Sequence, residues 1–84
     1  MNFRQYVNDR DRACIAVVNG ESIEVFKAFI KKWQDLGLAT PPRPSDEVLE
    51  ITCRKIVMHI NAPKNTRDRA RDWLLSRGYD LDLF

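Results

Sequence analysis

Three arginines near the end of the chain are the side chains most able to make specific contacts. Arg67, Arg69 and Arg71 occupy alternate positions just before Trp73. A guanidinium can grip a carboxylate or a phosphate with paired N–H groups, and the start of a helix adds a favourable dipole. We therefore take these three arginines as the candidate partner-binding residues.

The charges around these arginines argue against nucleic acid as the partner. Asp68 and Asp72 interleave with them, can pair with them at i,i+3 spacing, and would repel a phosphate backbone. The whole chain carries 14 Lys and Arg against 12 Asp and Glu, a net charge of +2. No segment is polybasic, so strong non-specific binding to nucleic acid or anionic membranes is not favoured. The preferred interpretation is a solvated, self-neutralising face, with Trp73 in the core.

The other reactive side chains do not form a catalytic or metal-binding motif. Cys14 and Cys53 lie in apolar runs, without a second cysteine or a histidine at the short spacing of zinc ligands. His59, the only histidine, has no sequence neighbours that complete a catalytic triad. We expect no enzyme activity, no cofactor and no metal site. The cysteines are interpreted as small core residues of a reduced, cytoplasmic protein, because no segment resembling a signal peptide precedes them.

The elements that would carry these residues are predicted to be helices. Apolar residues recur with helical spacing in residues 3–18 and again in residues 23–36, and Gly20 and Gly37 follow them as stops. The second of these helices should supply the heaviest part of the core. Its large aromatic residues are Phe26, Phe29 and Trp33.

One alternative stays open in this first half, a β-hairpin over residues 13–26. Asn19-Gly20 is a strong two-residue turn signal between two apolar segments. A helix is favoured because its apolar stripe begins well upstream of the turn, and because the spacing after the turn is helical rather than alternating.

A third helix is predicted after a stiff connector that contains three prolines, residues 38–44. Ser45 is expected to cap it, and Pro63 to follow its end. Glu50 and Arg54 should form a favourable i,i+4 pair on its surface. Its buried stripe is predicted to consist of Leu49, Cys53, Ile56, Val57 and Ile60.

A fourth helix is predicted from a cap at Asn65 or Thr66 to a glycine stop at Gly78. Residues 80–84 are expected to lie extended against the bundle. The inward-facing residues of this helix are predicted to be Ala70, Trp73 and Leu74.

Two segments carry a resemblance to known proteins. Residues 45–50, Ser-Asp-Glu-Val-Leu-Glu, and residues 73–79, Trp-Leu-Leu-Ser-Arg-Gly-Tyr, look like parts of small uncharacterised accessory proteins of bacterial phages and mobile elements. The resemblance covers residues 13–83. It implies a bacterial, cytoplasmic protein that acts by contact with a host or phage factor, and it assigns no functional residue.

These observations predict one all-α domain over residues 1–84, a small bundle of about four helices, because 84 residues are too few for two cores. The longest apolar run is too short to cross a bilayer. We predict a non-enzymatic protein-interaction module that binds a partner protein or a second copy of itself. The alternative is a DNA-binding regulator of the helix-turn-helix type, in which Arg67 and Arg71 reach the phosphates or base edges.

Overall fold

The computed structural model describes residues 3–35 and 45–79, in which the backbone forms four α-helices. They are α1 (Phe3–Val18), α2 (Glu24–Asp35), α3 (Asp46–His59) and α4 (Lys64–Ser76). The prediction of an all-α chain with four helices is confirmed. No strand occurs in the described ranges, and residues 13–18, which the β-hairpin alternative needed as a strand, form the last turns of α1.

The ends of α1 and α4 are set by glycines in the left-handed region, as the sequence predicted. Gly20 has φ 111° and Gly78 has φ 82°. In both places the amide of the residue after the glycine donates to the carbonyl five residues before it, at 3.0 Å after α1 and 3.1 Å after α4. This is the Schellman arrangement, which satisfies carbonyls that the helix end leaves without a partner.

The start of α3 also follows the sequence. Ser45 has an extended backbone, and its Oγ accepts a hydrogen bond from the amide of Val48 at 3.3 Å. Asp46 and Glu47 lie in the first turn, where the helix dipole favours negative charge.

The predicted cap of α4 is wrong. The helix begins at Lys64, after Pro63, and neither Asn65 nor Thr66 caps it with its side chain. Pro63 has φ −54°, close to the helical value, and its carbonyl accepts the amides of Thr66 and Arg67 at 3.0 Å each. Because the proline ring already fixes a helical φ, the helix starts earlier than the polar residues suggest. Thr66 is buried in the bundle instead.

Within the described ranges, α1 is the helix against which the others pack. It contacts α2, α3 and α4, and α3 and α4 also pack against each other. The aromatic core of α2 is confirmed: the Tyr6 ring centroid of α1 lies 5.4 Å from that of Phe29 and 5.2 Å from that of Trp33. The buried apolar residues are Ala13, Cys14, Val17, Phe26, Phe29, Trp33, Leu49, Cys53, Val57, Ala62, Ala70 and Leu74.

Several predictions concern residues outside the described ranges, namely the glycine stop at Gly37, the connector 38–44 and the extended tail 80–84. None of the helices described here is both long and apolar enough to span a lipid bilayer.

Candidate interaction surfaces

The three arginines predicted to bind a partner do not form one surface. Arg69 Nη1 donates to Asn19 Oδ1 at 3.1 Å, which ties α4 to the turn after α1. Arg67 and Arg71 are exposed on the opposite side of α4, since residues two apart on a helix point in nearly opposite directions. Only Arg67 and Arg71 therefore lie together, and Arg69 serves a contact within the fold.

The two exposed arginines differ in how they are neutralised. Arg71 lies 3.7 Å from Asp68 and 3.8 Å from Asp72, which are long ion pairs at the surface. This agrees with the self-neutralising face that the sequence predicted. Arg67 forms no ion pair with any residue of the described ranges. Exposed pairs of this length contribute little to stability, so Arg71 remains available to a partner.

Trp73 is half-buried rather than part of the core, which corrects its predicted placement. The guanidinium carbon of Arg54 lies 4.3 Å from the indole centroid, and that of Arg77 lies 4.2 Å from it. Both distances are well within the range of a cation–π contact. The indole thus sits between α3 and α4 as a platform for two guanidinium groups.

Arg54 is buried, although the sequence predicted a surface pair with Glu50. The pair forms as expected, with Arg54 Nη1 at 2.6 Å from Glu50 Oε2, but α4 covers the arginine and leaves only 7% of it exposed. The Nε of Arg54 finds no hydrogen-bond acceptor in the described ranges. Helical spacing identified the pair but not which neighbouring helix would cover it.

An open groove of about 440 Å³ lies between α1 and α2. Its floor is apolar and consists of Ala13, Ala16, Val25, Ala28 and Phe29. Three charged residues line its rim, Asp9 and Arg12 from α1 and Lys32 from α2. The patterns in the sequence did not indicate this surface. The available signal was the small side chains Ala13, Ala16 and Ala28, which leave space between two helices that otherwise carry large core residues.

Of the two basic residues on the rim, only one forms an ion pair within the described ranges. Lys32 Nζ lies 3.1 Å from Asp9 Oδ2, an ion pair that joins α2 to α1 across the groove. Arg12 is exposed and forms no ion pair with another described residue. The groove therefore presents one unneutralised cation beside an apolar floor.

The two cysteines, predicted as core residues, are both fully buried. Cys14 belongs to α1 and Cys53 to α3, two helices that pack against each other. Hydrogen bonding with Cys14, followed by burial, raises the pKa of the Cys53 thiol well above its ordinary value.

The remaining candidates for chemistry lie apart. His59 is exposed in the last turn of α3. Within the described ranges no three His, Cys, Asp or Glu side chains come together as a set of metal ligands. The large apolar side chains that stay exposed, Phe3, Val48 and Leu75, belong to three different helices.

Comparison of the chain with protein-family models, with curated proteins and with solved structures found no match.

Proposed function

We propose that this protein is a small helical protein-interaction module, and that a partner protein binds in the groove between α1 and α2. The observation that carries the proposal is the open, apolar floor of that groove beside the unneutralised Arg12. The centres of protein interfaces are apolar and poor in charge, and arginine is among the residues enriched there. The resemblance to phage and mobile-element accessory proteins supports the same class of function.

The shape of the groove fits a helix of the partner. Ala13, Ala16 and Ala28 have side chains of one carbon, so a third helix can approach the α1–α2 pair closely enough to pack its side chains on the floor. Amphipathic helices commonly bind proteins by laying their apolar face in such a groove. An open groove also suits a macromolecule better than a small substrate, which needs a concave pocket that covers most of its surface.

The rim charges favour a partner helix that carries a carboxylate. Asp9 already neutralises Lys32, so Arg12 is the rim charge that a partner can pair with. A carboxylate on the partner would accept two hydrogen bonds from the guanidinium. Hydrogen bonds between charged groups are stronger than those between neutral groups. This contact would select the orientation of the bound helix more than it would add affinity.

Affinity capture from a bacterial lysate tests the proposal, with the tagged wild-type protein and four tagged variants. Ala28→Trp fills the groove, and Lys31→Trp places the same bulk on an exposed position of α2 that does not line it. Arg12→Glu reverses the rim charge, and Arg67→Glu makes the same change on α4. We expect the wild type, Lys31→Trp and Arg67→Glu to retain one common protein, and Ala28→Trp and Arg12→Glu to lose it.

Circular dichroism of the wild type and the four variants must first show equal helix content. Equal capture by Ala28→Trp and Lys31→Trp would rule out the groove. Loss on Arg67→Glu alone would move the binding site to the arginines that the sequence first indicated. The partner could also be a second copy of the chain. Light scattering during size-exclusion chromatography tests this case. A wild-type dimer that becomes a monomer in Ala28→Trp would show that two copies associate through the groove.

A DNA-binding regulator is the second candidate, favoured by one observation. The connection between α3 and α4 is short, and Arg67, near the start of α4, is exposed with no ion pair in the described ranges. The engagement of Arg69 with Asn19 removes one of the three arginines from any DNA contact. Titration of mixed-sequence duplex at low and at moderate salt tests this candidate. Binding that weakens steeply with salt, and weakens further in Arg67→Ala, would support it, and absence of binding at low salt would exclude it.

A further inference from the structure

The turn after α1 contains the only asparagine of the chain that is followed by glycine, Asn19-Gly20. Asn19 is exposed, but α4 holds its side-chain oxygen: Arg69 Nη1 donates to Asn19 Oδ1 at 3.1 Å and Thr66 Oγ1 donates to it at 3.4 Å. These bonds join residues 47 and 50 positions apart in sequence. Neither the groove nor the exposed arginines of α4 account for this contact.

We propose that Asn19 is a deamidation site, that its contacts with α4 set the rate of the reaction, and that Arg69 holds the aspartate that forms. The inference does not depend on the proposed partner groove. Cyclisation of an asparagine needs close approach of the next residue's main-chain nitrogen to the side-chain carbonyl carbon. Glycine offers the least steric resistance to that approach, because it has no Cβ.

The reaction consumes one water and releases one ammonia. In the first step the main-chain nitrogen of Gly20 forms a bond to Cγ of Asn19 while the Cγ–Nδ2 bond breaks. The side-chain nitrogen leaves as ammonia with the proton of the Gly20 amide, and a five-membered succinimide remains. In the second step water opens the ring at one of its two carbonyls, which gives aspartate or isoaspartate. Nothing is oxidised or reduced, so water is the only co-reactant.

The folded chain restrains both reacting groups. The amide of Gly20 donates to the carbonyl of Val17 at 3.2 Å, so the attacking nitrogen is engaged in the helix end. Arg69 and Thr66 fix the oxygen on the carbon that would be attacked. Cyclisation therefore requires this helix end to open locally, and the bonds from α4 must break during that opening. We expect slow deamidation in the folded protein and faster deamidation where the contact with α4 is removed.

Aspartate suits this position because the donors to its oxygens are already in place. A carboxylate accepts hydrogen bonds from the same two groups, and its bond to the Arg69 guanidinium becomes one between opposite charges, which is stronger than the bond to a neutral amide. The helix dipole opposes a negative charge at the end of α1, and Arg69 offsets that effect. Isoaspartate, in contrast, adds one carbon to the main chain and should disrupt the Schellman arrangement at Gly20.

Incubation of the purified full-length protein in mildly alkaline buffer tests the rate, at a temperature where circular dichroism shows every form to be folded. Ion-exchange chromatography separates the more acidic product, and peptide mapping by mass spectrometry locates the converted residue. We expect Asn19 to convert before any other asparagine. Arg69→Ala should convert about two- to tenfold faster than the wild type, which is the factor for one lost hydrogen bond. Arg67→Ala, the same change at an exposed arginine that does not contact the turn, is the matched control and should convert at the wild-type rate.

Asn19→Asp supplies the proposed product directly and tests whether Arg69 holds it. This substitution should lower the melting temperature less in the wild type than in Arg69→Ala, and the difference measures the coupling between the two side chains. Conversion that begins at another asparagine, or no conversion of any folded form long after the denatured chain has fully converted, would overturn the site. Equal rates for Arg69→Ala and Arg67→Ala, or an equal effect of Asn19→Asp with and without Arg69, would overturn the role of α4.

Discussion

Arg54 shows how a single charged side chain is accommodated in the interface between α3 and α4. Its guanidinium is bonded to Glu50 on one edge and faces the indole of Trp73. Burying a charge is unfavourable unless it is paired, and here the carboxylate and the aromatic face offset part of the lost hydration, although Nε has no acceptor in the described ranges. The second guanidinium at the indole, that of Arg77, stays in solvent.

Arg54→Ala should destabilise the protein by about 2–4 kcal/mol, since it removes the partner of Glu50 and one face of the Trp73 contact together. Arg54→Met, which keeps most of the side-chain volume, should lose less. Urea denaturation followed by circular dichroism measures both. Arg71→Ala, at an exposed arginine with long ion pairs, is the control and should change stability by less than about 0.5 kcal/mol. Equal losses at both positions would show that the buried contacts of Arg54 do not stabilise the fold more than the exposed ones of Arg71.

The titration of Cys53 should make the stability of the protein depend on pH in the alkaline range. Hydrogen bonding to Cys14 and burial raise the pKa of this thiol in the folded protein, whereas in the unfolded chain it titrates near 9.0. Above that pH the unfolded chain loses a proton that the folded chain keeps, so stability is full below pH 9 and falls as the pH rises. The loss per thiol approaches about 1.4 kcal/mol per pH unit.

Urea denaturation between pH 8 and pH 10 checks this slope, and Cys53→Ala should flatten it. Lys27 does not interfere in this window. Hydrogen bonds to Asp46 and then Glu24 raise the pKa of that lysine above 10.5, so its charge persists through the whole range. A wild-type slope that Cys53→Ala leaves unchanged would show that another group causes it.

At the scale of the elements, substitutions at the two helix-ending glycines measure the cost of a left-handed backbone without a change in packing. A Cβ at Gly20 or Gly78 would meet no atom within 4 Å, so substitution there changes only the backbone energy. Gly20→Ala should cost about 1–2 kcal/mol and Gly78→Ala about 1 kcal/mol, because φ 111° lies farther than φ 82° from the left-handed minimum. Thermal denaturation of the two variants shows which of them loses more stability. Gly78→Asn should be milder than Gly78→Ala, since asparagine tolerates this region.

The elements were predictable from sequence where local chemistry sets them. Ser45 and the glycines act through their own backbone neighbourhood, so the start of α3 and the ends of α1 and α4 were predicted correctly. The start of α4 was not, because Pro63 competes with the polar caps after it. The burial of Arg54 depends on how α4 packs against α3. A periodic pattern predicts which face of a helix is buried, but not which residues of the neighbouring helix that face contacts.

At the scale of the whole molecule, stability depends on few buried side chains. A domain of 84 residues has about 4–13 kcal/mol of unfolding free energy, so a single large core residue is a substantial part of it. Two adjacent leucines make the comparison direct, since Leu74 is 0% exposed and Leu75 is 51% exposed.

Leu74→Ala should cost about 2–5 kcal/mol, through lost apolar burial and the cavity left behind. Leu75→Ala, the same change one position later, should cost less than about 0.5 kcal/mol. Melting temperatures from circular dichroism give the comparison. A large loss at Leu75 would mean that this side chain is covered in solution, as it would be in a dimer formed through α4.

The packing of α1 has a further consequence for local motion. Among the described helices α2 packs chiefly against α1, with the Lys27–Asp46 ion pair as a bridge to α3, whereas α1, α3 and α4 all contact one another. Because α2 has the fewest packing partners among the described helices, we expect its amides to exchange with deuterium faster than those in the middle of α1 or α3. A helix bound in the groove touches both α1 and α2, so its binding should appear first as slower exchange in α2.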